Sequence, residues 1–355
     1  MGCMQYIKEN MTKILRELIR VPSYSEKEEK ASDYLEGVMK SYGLKTWRKK
    51  NNLWSVIHHG DHLPVILLNS HIDTVPPAED WITDPFDPGT DKEKINGLGS
   101  NDAGASLVAL LGTFLYFLEK TDLPFNLVFA VSAEEEISGK NGIELLLPEI
   151  SPVHLGIVGE PTGKKMAVAE KGLMVIDCLA EGRSFHVARN GGINAIYIAM
   201  KDIEWIRNYR FPKKSSLLGE VKMQVTKIEA GQAHNVVPGN CSFVLDVRSN
   251  DRYSNEEIFQ CIKEHLSSNI QSRSFRLNPS SAPADHPVVL RALELGIECT
   301  GSDTLSDQSL MNFPTVKIGP GNPLRSHTAG EYILVEEINK GIDTYVSLIK
   351  NLILS

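Results

Sequence analysis

The sequence predicts an α/β protein in which a smaller α+β domain is inserted into a larger domain. Two observations support this prediction. Short apolar runs alternate with helical patterns up to about residue 167, which is typical of a mixed or parallel sheet covered by helices on both faces. Alternating strands then predominate to about residue 278, after which the first pattern returns. We therefore place the larger domain at residues 1–167 and 279–355, and the insert at 168–278.

The larger domain begins with helical spacing over residues 4–20 and 26–42, and Ser25 is the expected cap of the second helix. Helical patterns follow at 103–118 and near 141–147. They alternate with strand-like runs at 53–59, 64–71, 125–132 and 154–159. After the insert we predict a helix over Val288–Cys299, a strand in PTVKIGPG and a final helix from Val335 to about Leu352.

The insert contains its own complete set of elements. KMAVAEKGLMVIDCLAEG and LGEVKMQVTKIEAG alternate as strands do, and NCSFVLDVRS is a further strand. NAIYIAMKDIEWIRNY and EEIFQCIKEHL have the spacing of helices. A set of this size is sufficient for a separate small α+β domain.

Composition is that of an ordinary globular enzyme and excludes several other classes. The chain has 355 residues, of which 42% are hydrophobic and 23% charged. Its net charge of -8 argues against a nucleic-acid or anionic-membrane partner, and we expect neither. We expect no apolar stretch that approaches the ~18 residues of a membrane span. The five cysteines form no CxxC pair, which indicates free thiols in a reducing compartment, so we predict a cytoplasmic protein.

Polar residues follow several apolar strand-like runs, at the point where each run ends. PVILLNSHID ends at His71 and Asp73, FNLVFAVSAEEE ends at Glu136, and HLGIVGEPT passes through Glu160. The carboxyl ends of parallel strands lie at one edge of a sheet, so these residues are expected to meet there. Histidines and carboxylates without cysteine indicate a metal site of N and O ligands, with zinc the first choice.

Two of these segments carry further information. His71 and Asp73 are two residues apart on an extended strand, so Asp73 is placed to orient the imidazole of His71. Glu134, Glu135 and Glu136 are adjacent carboxylates whose repulsion is costly unless a cation or a proton resolves it. A solvated charge run is the alternative, but such runs rarely follow six apolar residues directly.

With these motifs the chain resembles the zinc aminoacylase and exopeptidase family that includes acetylornithine deacetylase, succinyl-diaminopimelate desuccinylase, aminoacylase and the glutamate-releasing carboxypeptidases. The resemblance covers nearly the whole chain and rests on the order and spacing of NSHIDTVP, WITDPFDP, INGLGSNDAGAS, SAEEEISGKNG, VGEPT, HNVVPG, LDVR and IGPG with a following SH. It implies a three-layer zinc-exopeptidase catalytic domain with an inserted ferredoxin-like lid and dimerisation domain.

The resemblance also implies a ligand set for two zinc ions per subunit, for which cobalt can substitute. His71, Asp102 and Glu160 would bind one ion. Asp102, Glu136 and His327 would bind the other, with Asp102 as the bridge. Glu135 would be the general base. In the alternative register, Glu134 would be the base and Glu135 the ligand, so both roles would move by one position. A cis peptide between Asp102 and Ala103 is common in the family.

In the insert, the resemblance assigns three residues to the substrate. His186 would reach into a neighbouring subunit's site, which implies a homodimer formed through the inserted domain. Arg248 would hold the substrate carboxylate, and Asn235 would bind the same end. Each has a structural alternative: Arg248 can close a strand-end salt bridge and His186 can cap a turn.

The GPGN segment has two interpretations. Gly319, Gly321, Ser306 and Ser326 can form an anion-binding nest for a phosphate, although the spacing matches no phosphate loop. We favour glycines that let backbone amides approach the substrate. The chain departs from many relatives at Leu98 and Gly104, where Arg and Lys are common.

The function implied by the resemblance is hydrolysis of the N-acyl amide bond of a small N-acyl amino acid, in the manner of acetylornithine deacetylase in arginine biosynthesis. N-acetylcitrulline and a succinylated analogue are further candidate substrates. Succinyl-diaminopimelate desuccinylase and a zinc dipeptidase or aminopeptidase are the alternative activities. A non-catalytic metal-binding dimerisation module is the alternative from another class.

Overall fold

The computed structural model describes residues 3–354, which form two compact units. The first unit extends to Val168 and resumes over Ala282–Thr300 and from Ser306 onward. The second unit comprises Ala169–Ser281 and Gly301–Leu305. Along the chain, the second unit is therefore inserted into the first.

The secondary structure alternates through most of the chain. In chain order the helices are α1 (Cys3–Ile19), α2 (Glu29–Ser41), α3 (Ala105–Leu118), α4 (Ile143–Ile150), α5 (Ala195–Asn208), α6 (Asn255–His265), α7 (Pro287–Glu294) and α8 (Val335–Ile349). The strands are β1 (Thr46–Lys49), β2 (Asn52–Ile57), β3 (Val65–His71), β4 (Lys94–Asn96), β5 (Asn126–Ser132), β6 (Leu155–Val158), β7 (Met166–Glu170), β8 (Gly172–Glu181), β9 (Phe185–His186), β10 (Lys222–Ala230), β11 (Val236–Val237), β12 (Asn240–Ser249), β13 (Asn269–Ser272), β14 (Ser280–Ser281), β15 (Cys299–Ser302), β16 (Thr315–Lys317) and β17 (Tyr332–Leu334).

The sheet of the first unit brings the carboxyl ends of four strands to one edge. Its order is β1-β2-β5-β3-β6-β16-β7, and β5, β3, β6 and β16 are parallel to their neighbours within this group. His71 pairs in register with Ser132, so β3 and β5 end at the same level, and β6 ends nearby at Val158, which pairs with Asn69. Residues that follow these strands therefore emerge side by side, as the sequence analysis predicted.

Helices cover both faces of this sheet. On one face α1, α3 and α8 pack against it, and α3 is buried along nearly its whole length because its sequence is almost entirely apolar. The other face is covered by α4, whose Ile143 and Leu146 pack against Leu67 and Val128. Full burial of an aromatic such as Phe114 in the first core contributes about 1.5–3 kcal/mol. The three-layer α/β architecture predicted from the sequence is confirmed.

The second unit has a sheet and a core of its own. Its antiparallel sheet has the order β10-β12-β8-β13. Residues of α5 and α6 join those of the sheet in one apolar cluster that includes Ile176, Ala199, Leu245 and Ile258. The chain order β8-α5-β10-β12-α6-β13 with this strand order is the ferredoxin-like arrangement predicted for the insert.

Two predicted element ends were wrong. The helix predicted over Val288–Cys299 ends at Glu294, because Gly296 adopts a left-handed backbone (φ 72°) and Cys299 starts the short strand β15. Ser25 does not cap α2, which begins at Glu29; its hydroxyl donates a hydrogen bond to Asp73 instead.

One prediction about apolar segments also needs correction. The stretch Ser100–Leu118, which combines the turn before α3 with α3 itself, is long and apolar enough to cross a membrane by length and composition. However, 78% of its most apolar window is buried inside the protein, and the core helix of a globular domain passes the same test. The stretch is also interrupted, since Asp102 and Ala103 have non-helical backbone angles.

Candidate metal centre

Five segments of the first unit deliver the residues of the centre. His71 ends β3, Glu135 and Glu136 follow β5, and Glu160 follows β6. Asp102 lies in the irregular turn Ser100–Gly104 that precedes α3, and its peptide bond to Ala103 is cis. His327 follows the short 3-10 helix Pro323–Arg325 and has a left-handed backbone (φ 58°).

The two oxygens of Asp102 face two different imidazoles. Asp102 Oδ1 lies 3.4 Å from His71 Nε2, and Asp102 Oδ2 lies 3.6 Å from His327 Nε2. On the first side, Glu160 Oε1 is 3.6 Å from His71 Nε2. On the second side, Glu136 Oε2 is 3.1 Å from His327 Nε2. The structure thus brings together all five residues that the resemblance implies as ligands, with Asp102 between the two groups.

The orientation of His71 is set by its other ring nitrogen. Nδ1 lies 2.9 Å from the main-chain carbonyl of Asp73, and only 3.5 Å from the Asp73 carboxylate. A carbonyl accepts hydrogen bonds, so Nδ1 carries a hydrogen, and Nε2 is the nitrogen directed toward Asp102 and Glu160 that would bind a cation. Asp73 therefore orients the imidazole mainly through its backbone, whereas the sequence analysis assigned this contact to its side chain.

The carboxylate of Asp73 instead holds the Glu135–Glu136 segment. It accepts hydrogen bonds from the backbone N–H of Glu135 (3.0 Å) and of Glu136 (3.1 Å), and from the hydroxyl of Ser25 (2.7 Å). Asp73 is buried, and the pKa of its carboxyl is lowered, since these hydrogen bonds and His71 outweigh the effect of burial. This side chain thus fixes the backbone from which two residues of the centre project.

The side chain of Glu134 points away from the centre, which bears on the register of the glutamate triplet. Its two oxygens accept hydrogen bonds from Asn141, one from the side chain (2.8 Å) and one from the backbone (3.1 Å). The left-handed backbone of Glu134 (φ 54°) directs its side chain away from the centre. Gly139 must be glycine here, because a Cβ would lie 2.1 Å from Glu134 Oε2. Glu135 and Glu136 are the members of the triplet that face the histidines.

The pKa values in the centre show how strongly its negative charges repel. Burial raises the pKa of Glu135 well above its ordinary value, and Glu160 nearby raises it further. Burial and the neighbouring Asp102 do the same to the pKa of Glu160. Burial would lower the pKa of His71, yet Glu160 and Glu135 raise it well above the ordinary value. The hydrogen bond to Glu136 raises the pKa of His327 to about 9.

These features fit one or two metal cations. Glu160 Oε1 is buried and has no hydrogen-bond donor among the described residues, a condition that costs about 1–3 kcal/mol unless a cation is bound. Two triplets hold ligand atoms that all lie within 4.8 Å of one another: His71, Asp102 and Glu136, and His71, Glu135 and Glu160. The donors are imidazole nitrogens and carboxylate oxygens, the set that zinc accepts.

The position of Glu135 needs separate comment. The geometry alone admits it as a ligand, since Glu135 Oε2 lies 4.0 Å from His71 Nε2 and belongs to one of the two triplets. The resemblance makes it the general base. Glu160 Oε1 is nearer to the same nitrogen, at 3.6 Å, so the distances favour Glu160 over Glu135 as the ligand on this side.

The candidate substrate residues of the insert all lie in the second unit. His186 and Asn235 lie close together, because β9 pairs with β11 and the Val187 N–H donates to the Asn235 carbonyl (3.1 Å). His186 Nδ1 accepts the Ala188 N–H at 3.2 Å, as the turn-cap alternative expected, and the exposed Nε2 then carries the hydrogen of the neutral ring. Arg248 forms a two-hydrogen-bond pair with Asp246, as the salt-bridge alternative expected.

Two backbone amides of the GPGN segment are hydrogen-bonded within the protein. The Gly319 N–H donates to Thr162 Oγ1 (3.1 Å), and the Asn322 N–H donates to Asn101 Oδ1 (3.0 Å). Gly319 is small for a packing reason, since a Cβ would lie 2.3 Å from Ser106 Oγ. These two amides therefore support the loop that leads to His327 and are not free to bind a phosphate or a substrate.

Two buried carboxylates support the centre without facing the histidines. Asp307 Oδ2 accepts hydrogen bonds from Asn69 on β3 (2.8 Å) and Ser132 on β5 (2.5 Å), so it joins the ends of the two strands that lead into the centre. Glu331 accepts backbone N–H groups next to Asp102, and burial raises its pKa to about 7. The sequence analysis missed Glu331, because no strand-end pattern marks it.

We expect Asp307→Asn to remove part of the pH dependence of stability in the metal-free protein. Burial raises the pKa of Asp307 from 3.8 to about 6. As pH rises from about 4 to 6, the unfolded chain loses this proton and the folded chain retains it, so folding loses up to about 3 kcal/mol across this window. Unfolding in urea at pH 4, 5, 6 and 7 should show this loss in the parent and not in the variant.

A matched control for this experiment is Glu36→Gln, in the same unit. Hydrogen bonds from Lys40 and Arg48 lower the pKa of Glu36, so its contribution is lost as pH falls, which is the opposite direction. Equal pH slopes for the parent and Asp307→Asn would show that Asp307 ionises as easily in the folded as in the unfolded chain.

Comparison with known proteins agrees with this geometry. The model of the peptidase family M20/M25/M40 matches residues 67–351. A [LysW]-lysine/[LysW]-ornithine hydrolase of Sulfurisphaera tokodaii is 27% identical over 98% of this chain and 97% of that protein. A succinyl-diaminopimelate desuccinylase of Rickettsia felis is 25% identical over 96% of this chain and 99% of that protein. A dinuclear metal-binding peptidase of the M20 family from Bacillus subtilis has a TM-score of 0.72 at 15% identity, covering 97% and 98% of the two chains.

The family model spans most of the chain, and the protein therefore belongs to the peptidase family M20/M25/M40. It is a hydrolase of this metallopeptidase family, as the sequence analysis predicted from the motifs.

Proposed function

We propose that the protein is a di-zinc hydrolase that cleaves the N-acyl amide bond of a small N-acyl amino acid. The observation that carries this proposal is the position of Asp102, whose two oxygens lie 3.4 Å and 3.6 Å from the ring nitrogens of His71 and His327. A shared carboxylate between two imidazole-containing groups is the arrangement that a two-metal hydrolase requires. When bound, the zinc pair would polarise the acyl oxygen and lower the pKa of a bound water.

In this proposal the residues of the chain have distinct tasks. His71, Asp102 and Glu160 hold one ion, and Asp102, Glu136 and His327 hold the other. Glu135 takes a proton from the attacking water on its carboxylate and returns it to the nitrogen of the leaving amine. The raised pKa of Glu135 suits this task, because a base that must later act as an acid works best with a pKa near the working pH.

The proposed substrate is an N-acylated diamino acid, with N-acetylornithine the first candidate. Support comes from the two relatives, whose names refer to lysine, ornithine and diaminopimelate, all of which carry two amino groups. A place in arginine biosynthesis would follow from N-acetylornithine. We further propose that Arg248 and Asn235 bind the substrate carboxylate and that His186 donates from Nε2 to the developing oxyanion. To bind the substrate carboxylate, Arg248 must either keep its hydrogen bond to Asp246 and add a second partner, or release Asp246.

We also propose that the second unit forms a homodimer. Helix α5 presents Tyr197 and Met200 to solvent, with 64% and 57% of their surface exposed, and apolar side chains of this size are commonly covered by a partner. Sedimentation velocity tests this proposal: a single species of monomer mass at micromolar concentration would contradict it.

Amine release from a panel of substrates tests the proposed function. The zinc-loaded protein is assayed with N-acetyl and N-succinyl derivatives of ornithine, lysine, diaminopimelate and citrulline, and with simple dipeptides. We expect rapid turnover of one N-acyl diamino acid and at least 100-fold slower turnover of dipeptides, since a pocket for an apolar acyl group offers no partner to the free ammonium group beside the peptide bond. A preference for dipeptides would indicate the peptidase alternative. Silence across the panel despite bound zinc would indicate the non-catalytic module.

A further inference from the structure

Glu331 is a buried carboxylate whose contacts concentrate on the backbone around Asp102. Only 1% of its surface is exposed. Its Oε1 accepts hydrogen bonds from the N–H of Asn101 (2.7 Å) and of Asp102 (2.9 Å), and its Oε2 accepts one from the N–H of Gly99 (3.2 Å). A single side chain thus fixes three backbone groups in a segment that lies 229–232 positions away in sequence.

These N–H groups need an acceptor from elsewhere because the segment is not a regular helix. Gly99 has a left-handed backbone (φ 75°), and Asp102 has extended angles (φ -118°, ψ 100°). Such a backbone cannot form the i to i-4 ladder that satisfies the N–H groups of an α-helix. The carboxylate of Glu331 replaces that ladder at the residue whose side chain lies between the two histidines.

The same residue also connects this segment to the one that carries His327. The Glu331 carbonyl accepts the Gly97 N–H (3.0 Å), and β17, which follows Glu331, pairs with β4. A second connection lies beside it, since the Asn101 side chain donates to the Asn322 carbonyl (3.1 Å) and to Ser326 Oγ (3.3 Å). The distance between Asp102 and His327 is therefore held from both sides.

A buried carboxylate is an expensive means of satisfying backbone groups. Removing an ionised carboxylate from water costs several kcal/mol even after relaxation, and a neutral side chain would avoid that cost. A nearby site that holds cations would offset the cost of burying this negative charge. Its placement, four residues after His327 and bonded to the N–H of Asp102, supports this reading.

We propose that Glu331 is a positioning residue that sets the bridging geometry of Asp102 for the second metal ion. This inference rests on the proposed two-metal function and deepens it. In this proposal Glu331 is not a ligand and acts through the Asp102 backbone. Residues that support ligands in this way typically account for about 10–100-fold in metal affinity.

The test is metal affinity, measured without substrate. Zn2+ is titrated into the metal-free protein in competition with a chromophoric chelator, and the melting temperature of the metal-free protein is recorded in parallel. For Glu331→Gln, whose amide keeps one acceptor oxygen, we expect a folded protein that binds the first ion as the parent does and the second at least 10-fold more weakly. With the substrate identified, kcat should fall and KM should stay nearly constant, and excess Zn2+ should restore part of kcat.

Asp202→Asn is the matched control in the second unit. Asp202 is a buried carboxylate that accepts the backbone N–H groups of Ser267 (3.0 Å) and Ser268 (2.9 Å), so its loss has a similar effect on folding. We expect it to lower the melting temperature without changing either zinc affinity. Glu331→Asp, which keeps the charge on a shorter side chain, replaces Glu331→Gln if the latter does not fold, and the same loss of second-ion affinity is expected.

The outcomes separate the two proposals. If Glu331→Gln lowers the melting temperature but binds both ions as tightly as the parent, Glu331 has a structural role only and the inference is wrong. If the parent itself binds no second ion, the proposed two-metal function fails before the variant is considered.

Discussion

Glu135→Gln is expected to lower kcat by about 10²–10⁴-fold while both zinc ions remain bound. The amide preserves the shape of the side chain but cannot accept a proton from the attacking water or return one to the leaving nitrogen. Glu135 lies at 4.0 Å from His71 Nε2, farther than Asp102 and Glu160, so the ligand set is not expected to depend on it. Single-turnover kinetics and metal analysis by inductively coupled plasma mass spectrometry measure the two quantities separately.

Glu134→Gln is the matched control, one residue away. The Glu134 carboxylate binds Asn141 through two hydrogen bonds, and the variant loses one good acceptor, which should cost about 1 kcal/mol of stability with little change in kcat. The reverse result, in which Glu134→Gln loses turnover and Glu135→Gln keeps it, would mean that the roles in the triplet are shifted by one position. Loss of zinc from Glu135→Gln would make Glu135 a ligand.

The catalytic fold was predictable because its signals are local. Apolar runs that end in His71, Glu136 and Glu160 mark parallel strands whose carboxyl ends must meet, and the register of β3 with β5 and β6 shows that they do. The alternating periodicities of the insert likewise predicted a separate small α+β domain, and the resemblance added its ferredoxin-like order. Resemblance was needed to add Asp102 and His327, which lie in irregular segments.

What the sequence could not provide are the contacts between irregular segments. Ser25 has the local pattern of a helix cap, but its hydroxyl binds Asp73, 48 positions away. Glu331 precedes a short strand and shows no periodicity, yet it holds the backbone of Asp102. Such partners are set by the fold as a whole, and a single sequence carries no local signal for them.

The conformations of single residues also escaped prediction. The left-handed backbone at Glu134 and at His327 directs one side chain away from the centre and the other toward it. A non-glycine residue adopts this conformation only when its surroundings compensate for the steric cost, and those surroundings are assembled by distant segments. For this reason the sequence alone could not decide which two glutamates of the triplet face the histidines.

Asp102→Asn is the second prediction with a large expected effect, and it tests the bridge directly. An asparagine side chain offers one carbonyl oxygen, and its NH2 group cannot bind a cation. In the parent, Oδ1 faces His71 and Oδ2 faces His327, so the variant can bind the metal ion on one side and not the ions on both sides. We expect the zinc content to fall from about two ions per subunit to about one. We also expect kcat to fall by more than roughly 100-fold, which is the largest effect typical of residues that only support a metal ligand.

Metal analysis after dialysis against a fixed free Zn2+ concentration measures the first effect, and steady-state kinetics the second. Asp343→Asn is the control, since that carboxylate pairs with Lys8 on the outside of the same unit, and it should keep both ions and full activity. Two tightly bound ions in Asp102→Asn would show that the metals do not depend on a shared carboxylate. In that case the 4.8 Å triplet of His71, Glu135 and Glu160 would be the better description of a separate first site.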